Sequence, residues 1–181
     1  DAIIVEASSG NTGISFAAIG RALGHRVRIY MPDWMSLERT QLMHGLGADV
    51  IPVSKAQGGF VGSVRMTEEY AKENPRAFLP CQFANPDNPL AHYRTTGPEL
   101  WNDTQGRITH FVSAMGTTGT IMGVSMYLKE RNPAITIIGA QPAEGASIPG
   151  IRKWPEQYLP KIYDARRVDR IESVTQQEAE D

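Results

Sequence analysis

The chain alternates short apolar runs with longer segments whose apolar residues recur every three or four positions. Ala2–Glu6, Val27–Met31, Val50–Val53 and Phe78–Cys81 are apolar runs of strand length. Between them, Thr12–Leu23, Ser36–Leu46 and Gly58–Glu73 read as helices. Gly24 follows the first helix, where a C-terminal glycine belongs, and Gly45 and Gly47 mark the end of the second, which Ser36 opens as N-cap. The alternation resumes with a helix near Leu90–Thr104, a buried strand at Ile108–Ala114, a helix at Thr120–Arg131 and a strand at Ile135–Gln141. Gly145–Tyr163 is irregular and Pro-rich, Arg166–Val174 reads as a last strand, and Thr175–Asp181 as the start of a helix. Strands alternating with helices predict parallel βαβ units, hence an α/β fold of open, mostly parallel sheets flanked by helices. Asn85-Pro86-Asp87-Asn88-Pro89 is the strongest punctuation in the chain and predicts a boundary between two α/β lobes close to it. A ligand is expected at the carboxyl ends of the strands, in the crevice between the lobes.

Composition narrows the class of partner. The 181 residues suffice for one good core or parts of two domains, and a net charge of −2 exerts no long-range pull on nucleic acid or an anionic membrane. No apolar run approaches the roughly 20 residues that span a bilayer, and the first residues have no signal-peptide pattern. The one cysteine, Cys81, excludes an internal disulfide framework, fits a reducing cytoplasm and reads as a small buried filler at a strand end. His25, His44, His92 and His110 have no metal-ligand spacing and are assigned to packing or surface, and Trp34, Trp101 and Trp154 to packing. The chain starts inside an apolar strand and ends inside a helix, which reads as an internal piece of a longer protein.

Two turns carry candidate chemistry. Glu6-Ala7-Ser8-Ser9-Gly10-Asn11-Thr12-Gly13 connects a strand to a helix rich in small residues. Unpaired amides and the helix dipole make such a place attractive to an anion, and hydroxyls, a carboxamide and glycines can hold a carboxylate or phosphate without a basic residue. An ordinary capped helix is the alternative. Met115-Gly116-Thr117-Thr118-Gly119-Thr120 repeats the arrangement of strand, turn and helix. Its glycines permit close approach of a ligand or a positive φ, and its threonines supply donors. No Lys-Ser or Lys-Thr follows the second glycine, and the spacing is not that of a dinucleotide loop, which points to a small phosphorylated cofactor.

These two motifs together resemble the cysteine synthase family of fold-type II pyridoxal phosphate enzymes. The resemblance extends over Gln82-Phe83, Asn85–Pro89, Thr95-Thr96-Gly97-Pro98-Glu99, Gln141-Pro142 and Ser147-Ile148-Pro149-Gly150-Ile151-Arg152, essentially the whole chain. It implies a pyridoxal 5'-phosphate cofactor, residues 1–87 as part of a smaller, mobile N-terminal lobe, and residues 88–181 as part of a larger lobe that holds the cofactor phosphate. It also implies that Gly116, Thr117, Thr118, Gly119 and Thr120 form the phosphate cup, with Asn11 bonded to the phenolic oxygen of the cofactor. Ser8, Ser9, Gly10 and Thr12, with Gln82, would hold the substrate α-carboxylate. Ser8 stands where relatives often have threonine, and Thr118 where many, cystathionine β-synthases among them, have glycine.

Arg152 resembles a basic residue of the B-type members at the mouth of the site, suited to an anionic sulfur donor or leaving group. A solvated arginine beside Lys153 is the alternative. The implied reaction is β-replacement on O-acetylserine or O-phosphoserine by sulfide or thiosulfate. Its partners are an amino-acid substrate and a sulfur donor, in a homodimer. None of Lys55, Lys72, Lys129, Lys153 and Lys161 has the family's S-x-K-D-R context, so no catalytic residue is assigned here. The Schiff-base lysine is expected before Asp1, and the chain alone is expected to be inactive. A family lyase of another type, and a non-catalytic homologue acting as a binding module, are the competing expectations.

Overall fold

The computed structural model describes residues 2–146, 148 and 150–181, without the side chain of Gln157. Ser147 and Pro149, both within the matched Ser147–Arg152 segment, lie outside the described residues. The chain divides into two compact units, Asp1–Cys81 and Gln82–Asp181.

The first unit is a parallel sheet in the order β3-β2-β1-β4, formed by β1 (Ile3–Ala7), β2 (Arg26–Pro32), β3 (Asp49–Val53) and β4 (Ala77–Phe78). Three helices connect them: α1 (Asn11–Ala22), α2 (Leu37–Gly45) and α3 (Gly59–Glu73). Alternation along β2 explains the two layers. Val27, Ile29 and Met31 face α1 and α2 through Ala17 and Met43, whereas Tyr30 joins Ile3, Val5 and Val53 on the face covered by Met66 and Tyr70 of α3. Full burial of a side chain such as Ile29 contributes about 1.5–3 kcal/mol. β1 lies between β2 and β4, and the chain leaves it toward β2 on one face and returns to β4 from the other. The carboxyl end of β1 is therefore a topological switch point, and the Ser8–Gly10 turn starts there.

The second unit pairs β5 (His110–Ala114), β6 (Thr136–Pro142) and β7 (Arg170–Val174) in a parallel sheet in that order. Its helices are α4 (Asp87–Arg94), α5 (Thr96–Asp103), α6 (Gly119–Arg131) and α7 (Gln176–Glu180). Ile121, Val124 and Leu128 of α6 pack on Ile135 and Ile137, with Leu100, Trp101 and Phe111 around them. Glycine lets α4 meet α6 closely, since a Cβ at Gly123 would stand 2.1 Å from the Pro89 carbonyl oxygen. Asp169 ties the sheet to α6, accepting from the Ile137 amide at 2.7 Å and from Lys129 Nζ at 3.1 Å.

The structure corrects several sequence expectations. The single helix near Leu90–Thr104 is two helices broken at Thr95 (φ −122°, ψ −75°). A continuous helix would need an N–H that Pro98 lacks and would press its ring on the Arg94 carbonyl. The Phe78–Cys81 strand stops at Phe78, with Pro80 unable to donate to a ladder. Cys81 is exposed and left-handed (φ 54°), so it is no buried filler. The Ile108–Ala114 strand begins only at His110 and is not buried. As an edge strand covered on one face, it leaves Val112 61% exposed. Arg166 belongs to a short 3-10 turn, Ala165–Arg167, because Asp164 accepts from its amide and pairs with its guanidinium at 2.9 Å. Within the irregular Gly145–Tyr163 stretch, Glu156–Tyr158 forms another such turn.

Candidate functional site

In the first unit, the turn after β1 is organised by Ser8. The side chain is buried, and its Oγ accepts from the amides of Gly10 at 3.1 Å and Gly13 at 2.9 Å. It thus serves the opening of α1 from two residues ahead of the N-cap position, Gly10, and holds two amides toward one point. Ser9 and Thr12 are half-buried, and Asn11, the first residue of α1, is exposed. Gly13 is tightly packed, since a Cβ there would meet Met43 Sδ at 2.8 Å and Ile29 Cγ2 at 3.1 Å. No acidic residue occupies the first turn of α1, and the nearest in sequence, the buried Glu6 at the end of β1, accepts from the Ala7 amide at 2.9 Å. A basic group the sequence reading did not associate with this turn also reaches it. Arg39 of α2 donates from Nη1 to the Ser9 carbonyl at 3.3 Å.

In the second unit, the Gly116–Thr120 turn opens the 13-residue α6. Its three threonines have three different environments. Thr117 Oγ1 accepts from the Gly119 amide at 3.2 Å and from Asn88 Nδ2 at 3.1 Å. Thr120 Oγ1 lies 3.2 Å from His92 Nε2, and His92 Nδ1 lies 2.9 Å from Thr96 Oγ1. Thr118 Oγ1 is buried and, among the described residues, has no hydrogen-bond partner. A buried hydroxyl in that condition costs about 1–3 kcal/mol. Thr118 also takes the left-handed conformation (φ 70°), so the positive φ expected of a glycine falls on a β-branched residue instead. Gly119 is needed for space, since a Cβ there would stand 1.9 Å from Asn88 Oδ1, whereas one at Gly116 would make a tight contact of 3.3 Å with the Gly150 carbonyl oxygen.

The surrounding segments converge on the same turn. Asn88 Nδ2 also donates to the Gln82 carbonyl at 2.8 Å, which ties Gln82 to Thr117 through one carboxamide. The chain after Gly150 lies along the turn. The Arg152 amide donates to the Met115 carbonyl at 3.0 Å, and Trp154 Nε1 donates to the Gly116 carbonyl at 2.8 Å. Arg152 is half-buried, with its guanidinium 5.7 Å from the centre of the Trp154 ring, and burial holds its pKa below the ordinary arginine value. Trp154 packs edge-on against Phe83, with centroids 5.4 Å apart. Burial also lowers the pKa of His92, which favours the neutral imidazole that bridges Thr96 and Thr120.

The structure thus groups Ser8, Ser9, Gly10, Asn11 and Thr12 in one unit, and Gln82, Gly116–Thr120 and Arg152 in the other. Sequence reasoning gave Arg39 and Asn88 no role at these turns, and it assigned His92 to packing or surface and Trp154 to packing. Asn88 and His92 had a usable signal: they stand at the start and on one face of a helix just after the Pro-rich punctuation. Among the described residues no cluster of His, Cys, Asp and Glu could hold a metal ion, and no helix is long and apolar enough to cross a membrane.

Comparison with known proteins agrees with this chemistry. The family model described as pyridoxal-phosphate dependent enzyme matches residues 1–180. Cysteine synthase B of Pseudomonas aeruginosa is 54% identical over 98% of this chain, and that of Escherichia coli is 52% identical over 98%. The chain spans 59% and 58% of the length of these two relatives. Among solved structures, a hydrogen sulfide-producing enzyme of Fusobacterium nucleatum has a TM-score of 0.88 and 41% identity, covering 96% of this chain and 55% of that one. A cysteine synthase of Entamoeba histolytica has a TM-score of 0.88 and 39% identity, covering 98% and 54%. With its two parallel sheets, its two hydroxyl-rich turns and a match along its length, this chain belongs to the pyridoxal-phosphate dependent enzyme family and is cysteine synthase B-like.

Proposed function

We propose that this chain supplies the phosphate and carboxylate sites of a pyridoxal-phosphate-dependent cysteine synthase, a cytoplasmic homodimer at full length. The observation that carries the reading is the Thr118 hydroxyl. A buried hydroxyl that has no partner among the described residues, at the positive end of a 13-residue helix, fits a phosphate monoester. Gly116, Thr117, Thr118, Gly119 and Thr120 would hold that phosphate. Asn88 and His92 orient Thr117 and Thr120 from behind.

When bound, the cofactor supplies an electron sink for a carbanion at the substrate α-carbon. The residues of this chain bind and orient. Asn11, exposed at the start of α1, would hold the cofactor at the phenolic oxygen through its carboxamide. Ser9, Gly10 and Thr12, with Gln82, bind the substrate α-carboxylate, while Ser8 keeps the Gly10 and Gly13 amides in place. Each charge-assisted bond to a carboxylate contributes roughly 1.5–3 kcal/mol. Arg152 keeps a fixed cation near the cup and favours an anionic sulfur donor or an anionic leaving group. The overall reaction replaces the acetate of O-acetylserine, or the phosphate of O-phosphoserine, with sulfide or thiosulfate to give cysteine or S-sulfocysteine.

Steady-state assay of the full-length protein with O-acetylserine and each sulfur donor tests this function. Cysteine from sulfide, and S-sulfocysteine from thiosulfate, are the expected products. Pyruvate alone would point to a lyase, and no turnover by a cofactor-loaded protein would point to a binding module.

A further inference from the structure

Arg39 sits at the third position of α2, and its half-buried side chain crosses to the turn that opens α1. Nη1 donates to the Ser9 carbonyl at 3.3 Å and lies 3.9 Å from Met35 Sδ. The same side chain runs over Gly10. A Cβ at that glycine would stand 2.9 Å from both Cδ and Nε of Arg39 and 3.3 Å from Cζ. The empty Cβ position at Gly10 is the slot through which the Arg39 side chain passes. The turn thus has a carbonyl held by Arg39, two amides held by the Ser8 hydroxyl, and a cation beside a helix whose first turn has no acidic residue.

From this geometry we infer that Arg39 is a positioning and specificity residue of the Ser8–Gly13 turn. Its guanidinium latches the Ser9 carbonyl and places a fixed positive charge where an amino-acid carboxylate is drawn in. The inference rests on the reading of this turn as the substrate carboxylate site. A guanidinium suits both tasks because it stays charged at neutral pH and its planar fork can hold a carbonyl while keeping other N–H groups turned elsewhere.

The test uses the full-length enzyme with Arg39→Met and Arg39→Lys. The Met variant keeps the packing of the stem over Gly10 and loses the charge. Removing one charge several ångströms from a carboxylate at a partly solvated turn is expected to raise KM for O-acetylserine about 10-fold, with kcat within about twofold. Arg39→Lys restores the cation and is expected to recover most of that loss. An unchanged KM in Arg39→Met, or equal losses in both variants that follow a lowered melting temperature, would overturn the assignment. Amide hydrogen exchange across Ser9–Gly13 gives a readout independent of turnover. It is expected to be about 10-fold faster in Arg39→Met than in the parent chain, with the interior of α1 unaffected. Equal exchange in the two proteins would overturn the latch. An inactive parent enzyme would instead remove the cysteine synthase reading, and exchange would then decide the latch alone.

Discussion

Thr118→Gly should stabilise the chain without an anion and weaken it as an anion site. The wild-type residue carries two costs that glycine removes. A non-glycine residue in the left-handed region costs about 1–2 kcal/mol, and a buried hydroxyl without a partner about 1–3 kcal/mol. Against this, the substitution gives up a buried methyl group worth about 0.8 kcal/mol and adds about 0.5–1 kcal/mol of backbone entropy to the unfolded state. The balance favours glycine by about 1–2 kcal/mol, or a rise in melting temperature of about 2–8 °C for a chain of this size. With pyridoxal phosphate present the order should close or reverse. One lost charge-assisted hydrogen bond weakens binding about 10- to 100-fold, whereas wild type at 100 times its Kd gains about 2.7 kcal/mol. Thermal unfolding of both proteins, in phosphate-free buffer and across a cofactor titration, measures both terms. A glycine variant that is less stable without anion, or equally stabilised by the cofactor, would refute the claim that this hydroxyl is held in reserve for a phosphate.

Other perturbations reach the surrounding groups. Gly119→Ala should cost about 2 kcal/mol by urea unfolding, because its Cβ would drive Asn88 off Gln82 and Thr117, and overpacking of this kind typically costs about 1–3 kcal/mol. His92→Asn should cost about 1 kcal/mol for each hydrogen bond lost to Thr96 and Thr120. Because burial depresses the His92 pKa below 6.5, that contribution is complete above pH 6.5 and is lost as the pH falls through the folded-state value. The stability gap between wild type and variant, followed by urea unfolding at several pH values, should therefore narrow toward acid; a gap that widens would contradict the neutral bridge. Arg152→Ala should lower kcat/KM about 10-fold more with thiosulfate than with sulfide, as expected for loss of a nearby cation, and equal losses would remove its role in donor choice.

The α/β architecture was legible because short apolar runs alternate with segments of helical periodicity and glycines close the helices at Gly24 and Gly47. Most element ends fell within a residue or two. The exceptions have local causes that a periodicity count does not register. Pro98 breaks an apolar pattern that otherwise runs through Thr95, and Asp164 captures the Arg166 amide before a strand can start. Val112 looks buried by composition, yet it lies on an uncovered face of an edge strand. At the candidate site, the hydroxyl-rich turns were visible as motifs. Which of their hydroxyls is committed to the fold was not, because Ser8, Thr117 and Thr120 find their partners through the turn or through Asn88 and His92. The conformational role assigned to Gly116 and Gly119 belongs to Thr118, and the slot at Gly10 exists for a side chain 29 positions further along.

The central claim is that the Gly116–Thr120 turn is a phosphate cup, and comparative binding of pyridoxal phosphate and pyridoxal to the chain tests it most directly. Several charge-assisted hydrogen bonds at a helix N-terminus predict that the phosphate ester binds at least about 100-fold more tightly than the unphosphorylated aldehyde, with the advantage reduced in Thr118→Gly. Equal affinities for the two compounds would contradict the account.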